Sequence, residues 1–231
     1  SDIARKVAKS AKPTDEDEVE DWKKRVDYAK QVDAYSEYSL YAMTLTATDP
    51  RKKIELGDAV RERNPESQYL PQVANQQFLA HQQLGDKEKA AMLAEKALEK
   101  DPGNEDMLLA AADYYMNKKD AEKTLLYSTK LTEVLLAKPA PAGVSAADWD
   151  KKKNLVMGLG YWMAGLTYSG QSKFALADQS LRKALPLVQG NAQLAPTALF
   201  HLGLANYKME RIIDALKFFQ QCAAVPGPFQ A

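Results

Sequence analysis

The sequence has 231 residues, 45% of them hydrophobic and 27% charged, which is typical of a soluble globular protein. Lys and Arg together number 31, and so do Asp and Glu, so no excess positive charge favours binding to nucleic acid. A single cysteine, Cys222, excludes an internal disulfide and a cysteine-based zinc cluster.

The N-terminal part of the chain departs from any regular pattern. Residues 1–16 combine a basic stretch, a proline and an acidic cluster, which predicts a flexible leader, with a docking arm as the alternative. A long helix is predicted from Val19 to Thr46. The segment 17–66 contains this helix and a degenerate first repeat. Several aromatic side chains of this helix fall on one stripe, which we expect to pack on the first repeat rather than bind a ligand: Trp22, Tyr28, Tyr35, Tyr38 and Tyr41.

A unit of two helices recurs through the rest of the chain. Residues 71–104 predict two helices joined at Gly85 and ended by Asp101-Pro102, since the residue before proline disfavours α geometry. The same pattern returns at 158–191 and 196–226, and more loosely at 105–138. The small or packing positions of the second helices are Ala90, Ala94 and Ala97, then Thr124 and Ser128, then Ala177, Leu181 and Ala184, then Ala215, Phe219 and Cys222.

This repeat resembles the tetratricopeptide repeat, which favours Leu-Gly in its first helix, then Ala, an aromatic residue and Ala in its second, and then Pro. The resemblance implies an all-α fold, a right-handed α-solenoid of about four to five antiparallel helix pairs with an extra N-terminal helix. The array would span 67–231. In the family, the first helix of each unit lines a concave face that holds a peptide or partner protein.

An irregular segment interrupts the array. Two prolines and a glycine within 138–154 predict a loop at 139–145, either a partner-binding element or a tolerated insertion. Ser145 and Asp148 predict a capping box for a helix that runs through Trp149 to about Ser169. Residues 154–172 carry no charge, but their many polar and small residues favour a buried helix over a membrane span.

No pattern in the sequence predicts catalysis. His81 and His201 stand far apart and in no metal-ligand spacing, and no phosphate loop or nucleophile elbow is present. Cys222 occupies a packing position, so we interpret it as an inert core residue. We therefore predict no catalytic residue, metal or cofactor.

The first helices of the units supply the candidate binding residues. Amides dominate at the N-terminal end of this set and aromatic rings at the C-terminal end, which suits contact with an extended peptide. For Trp162 and Phe200, packing between adjacent repeats is the alternative. The predicted groove residues are Gln72, Asn75, Leu79, Gln82, Gln83, Asp106, Leu109, Asp113, Met116, Asn117, Leu159, Trp162, Leu166, Phe200, Leu204 and Tyr207.

The sequence thus predicts a non-enzymatic scaffold that binds a protein or peptide and has no transmembrane segment. The alternative is a homo-oligomer that assembles through the C-terminal repeat face. This face has no polar capping helix, although the Pro-Phe tail is a second candidate to cover it. Residues 64–98, with Pro65, Ser67 and Tyr69 leading into a unit, are also similar to repeat proteins of bacterial envelopes. Together with a first residue that is not Met, this favours an exported, periplasmic protein, with the cytoplasm as the alternative.

Overall fold

A computed structural model describes residues 2–225, and the chain divides into two compact units, Ser1–Leu93 and Ala94–Ala231. The described residues form helices α1 to α11 and no strand. Successive helices pack in pairs, so the predicted all-α solenoid fold is confirmed. No helix within residues 2–225 is long and apolar enough to cross a membrane.

Four helices and the start of a fifth make up the first unit. Its elements are α1 (Asp2–Ala8), α2 (Glu16–Thr46), α3 (Pro50–Arg63) and α4 (Leu70–Gln83), and the unit boundary falls within α5 (Lys87–Leu98). The Asp15 and Asp49 carboxylates accept the backbone N–H groups of Asp17 and Arg51, each at 3.0 Å, and so cap α2 and α3. Pro50 suits the first turn of α3. Backbone N–H groups in the first turn of a helix have no acceptor within the helix, so proline, which lacks this group, loses no hydrogen bond there.

The sequence predicts a flexible leader at residues 1–16. In the structure, residues 2–8 instead form helix α1, which packs on α2. Ala4 is buried, and the Arg5 guanidinium lies 3.4 Å from the Asp33 carboxylate of α2 while also donating to the backbone carbonyl of Arg63. A helix of this length is marginal alone, so these contacts with α2 and α3 are what stabilise it. The sequence pattern misses it because the anchoring groups lie far along the chain.

The aromatic stripe of α2 is divided between packing and solvent. Tyr41 stacks on Tyr69 with ring centroids 4.4 Å apart, whereas Tyr28, Tyr35 and Tyr38 are exposed. The buried contacts of α2 come instead from Val26, Ala29 and Thr44. The interpretation of the whole stripe as a packing face is therefore wrong for Tyr28 and Tyr35. The Tyr38 ring, although half exposed, packs edge-on against Tyr69 with the ring centroids 6.1 Å apart.

The segment with Pro65, Ser67 and Tyr69 fixes α2 to the turn before α4. The Ser67 hydroxyl donates to the Glu37 carboxylate at 2.5 Å, and the Asn64 amide donates to the same carboxylate at 2.9 Å. The stacking of Tyr69 on Tyr41 adds an apolar contact beside these bonds. This stretch therefore has a packing role in the first unit.

Three helix pairs make up most of the second unit. They are α6 (Glu105–Asn117) with α7 (Ala121–Ala137), α8 (Ala146–Gly170) with α9 (Phe174–Val188), and α10 (Leu194–Lys208) with α11 (Ile212–Ala224). As predicted, Ser145 caps α8: its hydroxyl accepts the Asp148 backbone N–H at 3.1 Å and donates to the Asp148 carboxylate at 2.7 Å. Between α7 and α8 the chain is non-helical at residues 138–145.

Glycines let the helices of a pair approach closely. A methyl group at Gly165 would lie 2.5 Å from Leu181 Cγ, and one at Gly203 would lie 2.6 Å from the Phe219 ring. These are the Gly–Leu and Gly–Phe positions that the sequence repeat aligns. Because the large side chain fills the space above the glycine, neither site tolerates an added Cβ without movement.

Candidate functional site

The predicted groove residues on α4 form an open polar surface in the first unit. Gln72, Asn75, Leu79, Gln82 and Gln83 are all exposed. The opposite side of α4 is held by Gln77, which is buried and donates to the Ile54 carbonyl at 3.0 Å and to the Asp58 carboxylate at 2.9 Å. The exposed amides on the other face thus remain accessible to solvent.

The remaining groove residues lie on α6, α8 and α10 of the second unit, and none is fully buried. Asp106, Asn117 and Tyr207 are exposed. The half-buried members are Leu109, Asp113, Met116, Leu159, Trp162, Leu166, Phe200 and Leu204. Half-buried apolar side chains combine accessible area with a fixed position, which is what a binding surface requires.

One cavity brings two of these residues together, Met116 of α6 and Leu166 of α8. It has a volume of about 410 Å³, within the size range of ligand pockets. Its lining consists of Met116, Lys119, Ala121, Thr124, Leu166, Thr167, Gly170 and Gln171. We call this cavity the α6–α8 pocket.

Sequence reasoning did not identify the other six lining residues, because they lie outside the predicted face of a first helix. Four of them belong to the ends of helices and to the turn that follows α6: Lys119, Ala121, Gly170 and Gln171. One feature of the sequence does indicate Lys119: it lies in the turn between the two helices of a unit. In the first such turn, Gly85 has a positive φ of 73°, and Lys119 takes the equivalent conformation with a φ of 60°.

A hydrogen-bonded turn fixes Lys119 at the pocket. The Lys119 N–H donates to the Met116 carbonyl and the Asp120 N–H to the Tyr115 carbonyl, both at 3.0 Å. Bonds of this kind satisfy the last carbonyls of a helix when one residue adopts a left-handed conformation. The Asp120 side chain then accepts the Lys123 N–H at 3.0 Å and starts α7.

The hydroxyl groups in the pocket are already engaged. Thr124 donates to the Asp120 carbonyl at 2.6 Å, and Thr167 donates to the Met163 carbonyl at 2.8 Å. The lining contains no histidine, cysteine or carboxylate to act as a general base. The lining is made of apolar, hydroxyl, amide and ammonium groups.

Trp162 and Phe200 pack within the second unit. Trp162 Nε1 donates to the Leu194 carbonyl at 3.1 Å. Both rings lie against one buried cluster, formed by Leu181, Ala198, Leu199, Leu202, Phe218 and Cys222. These contacts are those of the packing alternative, so replacing either ring would disturb folding together with any binding.

Ion pairs fix the start of α6. Lys152 Nζ lies 3.2 Å from the Asp106 carboxylate and 3.4 Å from that of Glu105, and Lys138 also pairs with Glu105. Burial alone would raise the pKa of Glu105, but the hydrogen bond from Lys138 and the two ammonium charges outweigh it, so its pKa is lowered. Asp106 is thus paired with Lys152, although its own side chain is largely exposed.

A second polar network joins α5, α6 and α7. The Glu95 carboxylate accepts the Tyr127 hydroxyl at 2.8 Å and the Lys123 ammonium at 3.0 Å, and Lys123 also donates to the Tyr115 hydroxyl at 2.7 Å. Burial and the hydrogen bond to Glu95 raise the pKa of Tyr127 to about 12. The Tyr127 phenol therefore stays protonated at neutral pH and keeps donating its hydrogen bond to Glu95.

Neither histidine belongs to the lining of the α6–α8 pocket. His81 is buried, with Nδ1 3.4 Å from the Asp86 carboxylate and no hydrogen bond to that nitrogen. His201 Nδ1 lies 2.8 Å from the Ser169 hydroxyl, and burial lowers its pKa. Within residues 2–225, no group of three or more His, Cys, Asp or Glu side chains is arranged to hold a metal ion.

Similarity to the solved structures of MamA supports the fold assignment. The solved chain of MamA, residues 41 to the end, from Desulfovibrio magneticus RS-1, matches with a TM-score of 0.54 and 16% identity over 84% of this chain and 94% of that chain. The MamA RS-1 ArsTM double mutant gives the same values. A thermophilic tetratricopeptide repeat protein from Thermus thermophilus, TTC0263, matches at 16% identity with a TM-score of 0.37, over 84% of this chain and 90% of that protein.

The fold is tetratricopeptide-like. No protein-family model matches the chain, and no curated protein gives a significant match. At such low identity the structural likeness identifies the fold alone, so the function must be argued from the surfaces of this chain.

Proposed function

We propose that this protein is a non-enzymatic scaffold that binds a peptide segment of another protein on the α6–α8 surface of its second unit. The observation that carries the proposal is the α6–α8 pocket, where Met116 and Leu166 from two different first helices line one cavity. Apolar pockets of this size take the anchor side chain of a bound peptide, and the surrounding contacts exclude water.

The two first helices that line the pocket carry further accessible groups, which suit an extended ligand. Exposed Asn117 and half-buried Leu109 lie on α6, and half-buried Leu159 lies on α8. Such alternation of apolar patches with polar groups provides both anchoring and hydrogen bonds to a peptide backbone. The engaged Thr124 and Thr167 hydroxyls argue against a nucleophilic role for the same cavity.

A random peptide library displayed on phage tests the proposal. The purified protein should retain a defined set of peptides, and Met116→Glu should weaken their binding about tenfold or more by placing a charge in the pocket. Leu126→Glu is the matched control, because Leu126 is 59% exposed on α7 and does not line the pocket. Equal retention by wild type and Met116→Glu, with both folded by circular dichroism, would contradict the proposal.

Self-association is the second candidate, favoured by the apolar surface of α11. Ile213 is 86% exposed, and Ile212 and Leu216 are 56% and 57% exposed. The tail that the sequence offers as a cover for this face lies outside the described residues. Exposed aliphatic side chains on a terminal helix favour burial against another protein surface.

Sedimentation over a concentration series tests self-association. The wild type should form a dimer or larger species whose population grows with concentration, and Ile213→Asp should return it to a monomer. Leu136→Asp, at an exposed leucine of α7, is the control. A wild type that stays monomeric throughout the series would eliminate this candidate.

We also propose that the protein is exported to the periplasm, on the strength of its similarity to envelope repeat proteins. Osmotic-shock fractionation of cells that express the full-length gene should release the protein with the periplasmic fraction. Recovery with the cytoplasm would contradict export.

A further inference from the structure

We propose that the exposed face of α2 pairs with the same face of a second copy of this chain, with the two helices antiparallel. The proposal is independent of the peptide-binding function, which uses the second unit. It competes with α11 as the surface for self-association, and variants at each helix separate the two.

The exposed side chains of α2 are spaced alternately three and four positions apart. This is the heptad spacing of helices that pair side by side, because it keeps one row of side chains facing the partner helix. Tyr28 and Tyr35 are 70% and 72% exposed, and Tyr38 and Leu45 are 50% and 41% exposed. We call this row the α2 seam, and its members are Tyr28, Gln31, Tyr35, Tyr38, Ala42 and Leu45.

The opposite side of α2 is already packed inside the first unit. Val26, Ala29 and Thr44 are buried there. The two charged side chains in the C-terminal half of α2 are engaged as well: Asp33 pairs with arginines of α1 and α3, and Glu37 accepts hydrogen bonds from the turn before α4. Pairing through this half of the seam therefore takes no unpaired charge out of water, which would oppose association.

Charge selects the antiparallel direction. The seam positions before Tyr28 hold Lys24 and Asp21. Parallel helices would place each of these beside the same residue of the other copy, and like charges at the seam repel. In the antiparallel pair, Lys24 extends past Leu45 of the other copy, towards the exposed Asp49 that follows that helix. Opposite charges then lie near each other at both ends of the pair.

Side-chain size fits one antiparallel register. In it a large ring faces a leucine, an amide faces a small residue, and two rings face each other in the middle. Aromatic pairs are favourable in offset or edge-to-face arrangements, and a single polar residue in a seam fixes the register. The facing residues of the two copies are Tyr28 with Leu45, Gln31 with Ala42, and Tyr35 with Tyr38.

The contact area reaches the lower limit for a specific dimer. Aromatic side chains bury about 150–250 Å² each, so the exposed parts of the three seam tyrosines contribute roughly 400 Å² per copy. The other seam residues bring the total for two copies to about 1,000 Å², where specific interfaces begin. On α11, by comparison, the exposed aliphatic side chains lie within residues 212–216, little more than one turn. The dimer should therefore be weak and dissociate on dilution.

Sedimentation of the full chain over a concentration series tests the inference. Wild type should show a monomer–dimer equilibrium, and Tyr35→Asp should raise its dissociation constant about tenfold or more by placing a charge in the seam. Tyr35→Phe keeps the ring and should dimerise at least as well as wild type. Leu136→Asp is the matched control, because it introduces the same charge at an exposed leucine of α7.

The variant Ile213→Asp separates the α2 seam from α11. Ile213 is 86% exposed on α11, so its replacement should leave a dimer that forms through α2 unchanged. A monomeric Ile213→Asp would assign self-association to α11 and overturn the inference. Met116→Glu, which alters the α6–α8 pocket, should also leave the dimer unchanged, so the peptide-binding function can fail without affecting this result.

Disulfide crosslinking tests the antiparallel register. A mixture of Tyr28→Cys and Leu45→Cys proteins should form a crosslinked heterodimer in oxidised glutathione, whereas neither variant should crosslink with itself. The native Cys222 is buried and only 3% exposed, so it should not compete. Crosslinking of Tyr28→Cys with itself would indicate a parallel pair and contradict the proposal.

Two further results would overturn the inference. One is a wild type that stays monomeric throughout the series, and the other is a folded Tyr35→Asp that dimerises as well as wild type. If the wild type is monomeric and phage-selected peptides lose binding in Tyr35→Asp, the α2 seam binds a segment of another protein instead of a second copy.

Discussion

The helix pairs α6–α7 and α10–α11 occupy equivalent places in the repeat but bury different chemistry. At the same sequence spacing, the first pair has Ala112 and Ser128, both fully buried, and the second has Gly203 beneath the Phe219 ring. The α10–α11 pair thus combines a glycine with a large ring where the equivalent positions of α6–α7 hold two small residues. Because protein interiors are close-packed, we expect added volume at Gly203 to be poorly tolerated.

The two pairs also satisfy their buried polar groups in different ways. In α7, Thr124 is buried and donates to a carbonyl of its own helix. In α10, Asn206 is fully buried and donates to the Asp178 carboxylate of α9 at 2.6 Å, and Arg182 pairs with that same carboxylate at 2.9 Å. The Asn206 side chain therefore bonds across to α9 as well as to the Leu202 carbonyl of its own helix, whereas the bond of Thr124 is local only.

The largest expected effect comes from breaking the contact that crosses between helices. Asn206→Leu removes a donor from the buried Asp178 carboxylate and should lower the free energy of unfolding by about 2–4 kcal/mol. Thr124→Val, whose hydroxyl bond is local, should cost less than about 1 kcal/mol. Urea denaturation monitored by circular dichroism measures both. Equal losses would show that the two pairs do not differ in this way.

The next effect tests the volume rule. Gly203→Ala should lower the free energy of unfolding by about 1–3 kcal/mol, because the added Cβ would lie 2.6 Å from the Phe219 ring. Gly170→Ala is the matched control, with open space around the added Cβ, and should be neutral or stabilising by up to about 1 kcal/mol. Chemical denaturation compares the two, and a neutral Gly203→Ala would contradict the close packing described for α10 and α11.

The pH dependence of stability should separate the two pairs further. Burial lowers the pKa of His201 on α10 below its usual 6.5, so the unfolded chain binds the proton more readily and stability falls as pH drops below about 6.5. The slope should stay below about 1.4 kcal/mol per pH unit. Denaturation between pH 7.5 and 5 measures it, and His201→Gln should flatten the profile.

Glu105 on α6 responds in a lower pH range. Its pKa is lowered from 4.5, so its stabilising contribution is complete above about 4.5 and is lost as pH falls through the folded-state value. Lys138→Met should reduce this acid sensitivity while leaving the step near pH 6.5 intact. If His201→Gln and Lys138→Met show the same dependence of stability on pH, other titrating groups control that dependence.

The smallest effect concerns the turns inside the pairs. Ser172→Gly and Glu210→Gly should each raise the free energy of unfolding by about 0.5–1 kcal/mol, because each residue has a φ near 60° and glycine adopts it without strain. The reverse exchange, Gly85→Ala, should cost a similar amount. Thermal and urea denaturation resolve changes of this size, and destabilised glycine variants would contradict the strain argument.

The sequence predicted the fold class and the positions of the repeating helices, because helical periodicity, capping residues and small packing positions are local signals. Ser145 and Gly203 are examples in which the residue type alone indicates the contact. Long-range anchoring is different: α1 depends on Asp33 and Arg63, and no local pattern reveals that.

The candidate site was predictable only in part. Periodicity placed Met116 and Leu166 on first helices, but it could not show that they line the same cavity. Lys119 was missed because its conformation in the turn, rather than its place on a helix face, brings it there. The sequence pattern places Trp162 and Phe200 on the predicted groove face. In the structure both rings are partly buried, because they pack against the core cluster of the second unit.

Helix α8 contacts both of its neighbours through glycines on different faces. A methyl group at Gly160 would lie 2.8 Å from Thr132 of α7, and one at Gly158 would lie 2.9 Å from Leu187 of α9. In repeat proteins, coupling between adjacent units determines whether they melt independently or together. The contact with Thr132 couples α8 to the preceding repeat, and the contact with Leu187 holds the two helices of its own repeat together. Loosening the first contact should weaken the cooperativity between these two repeats on thermal unfolding.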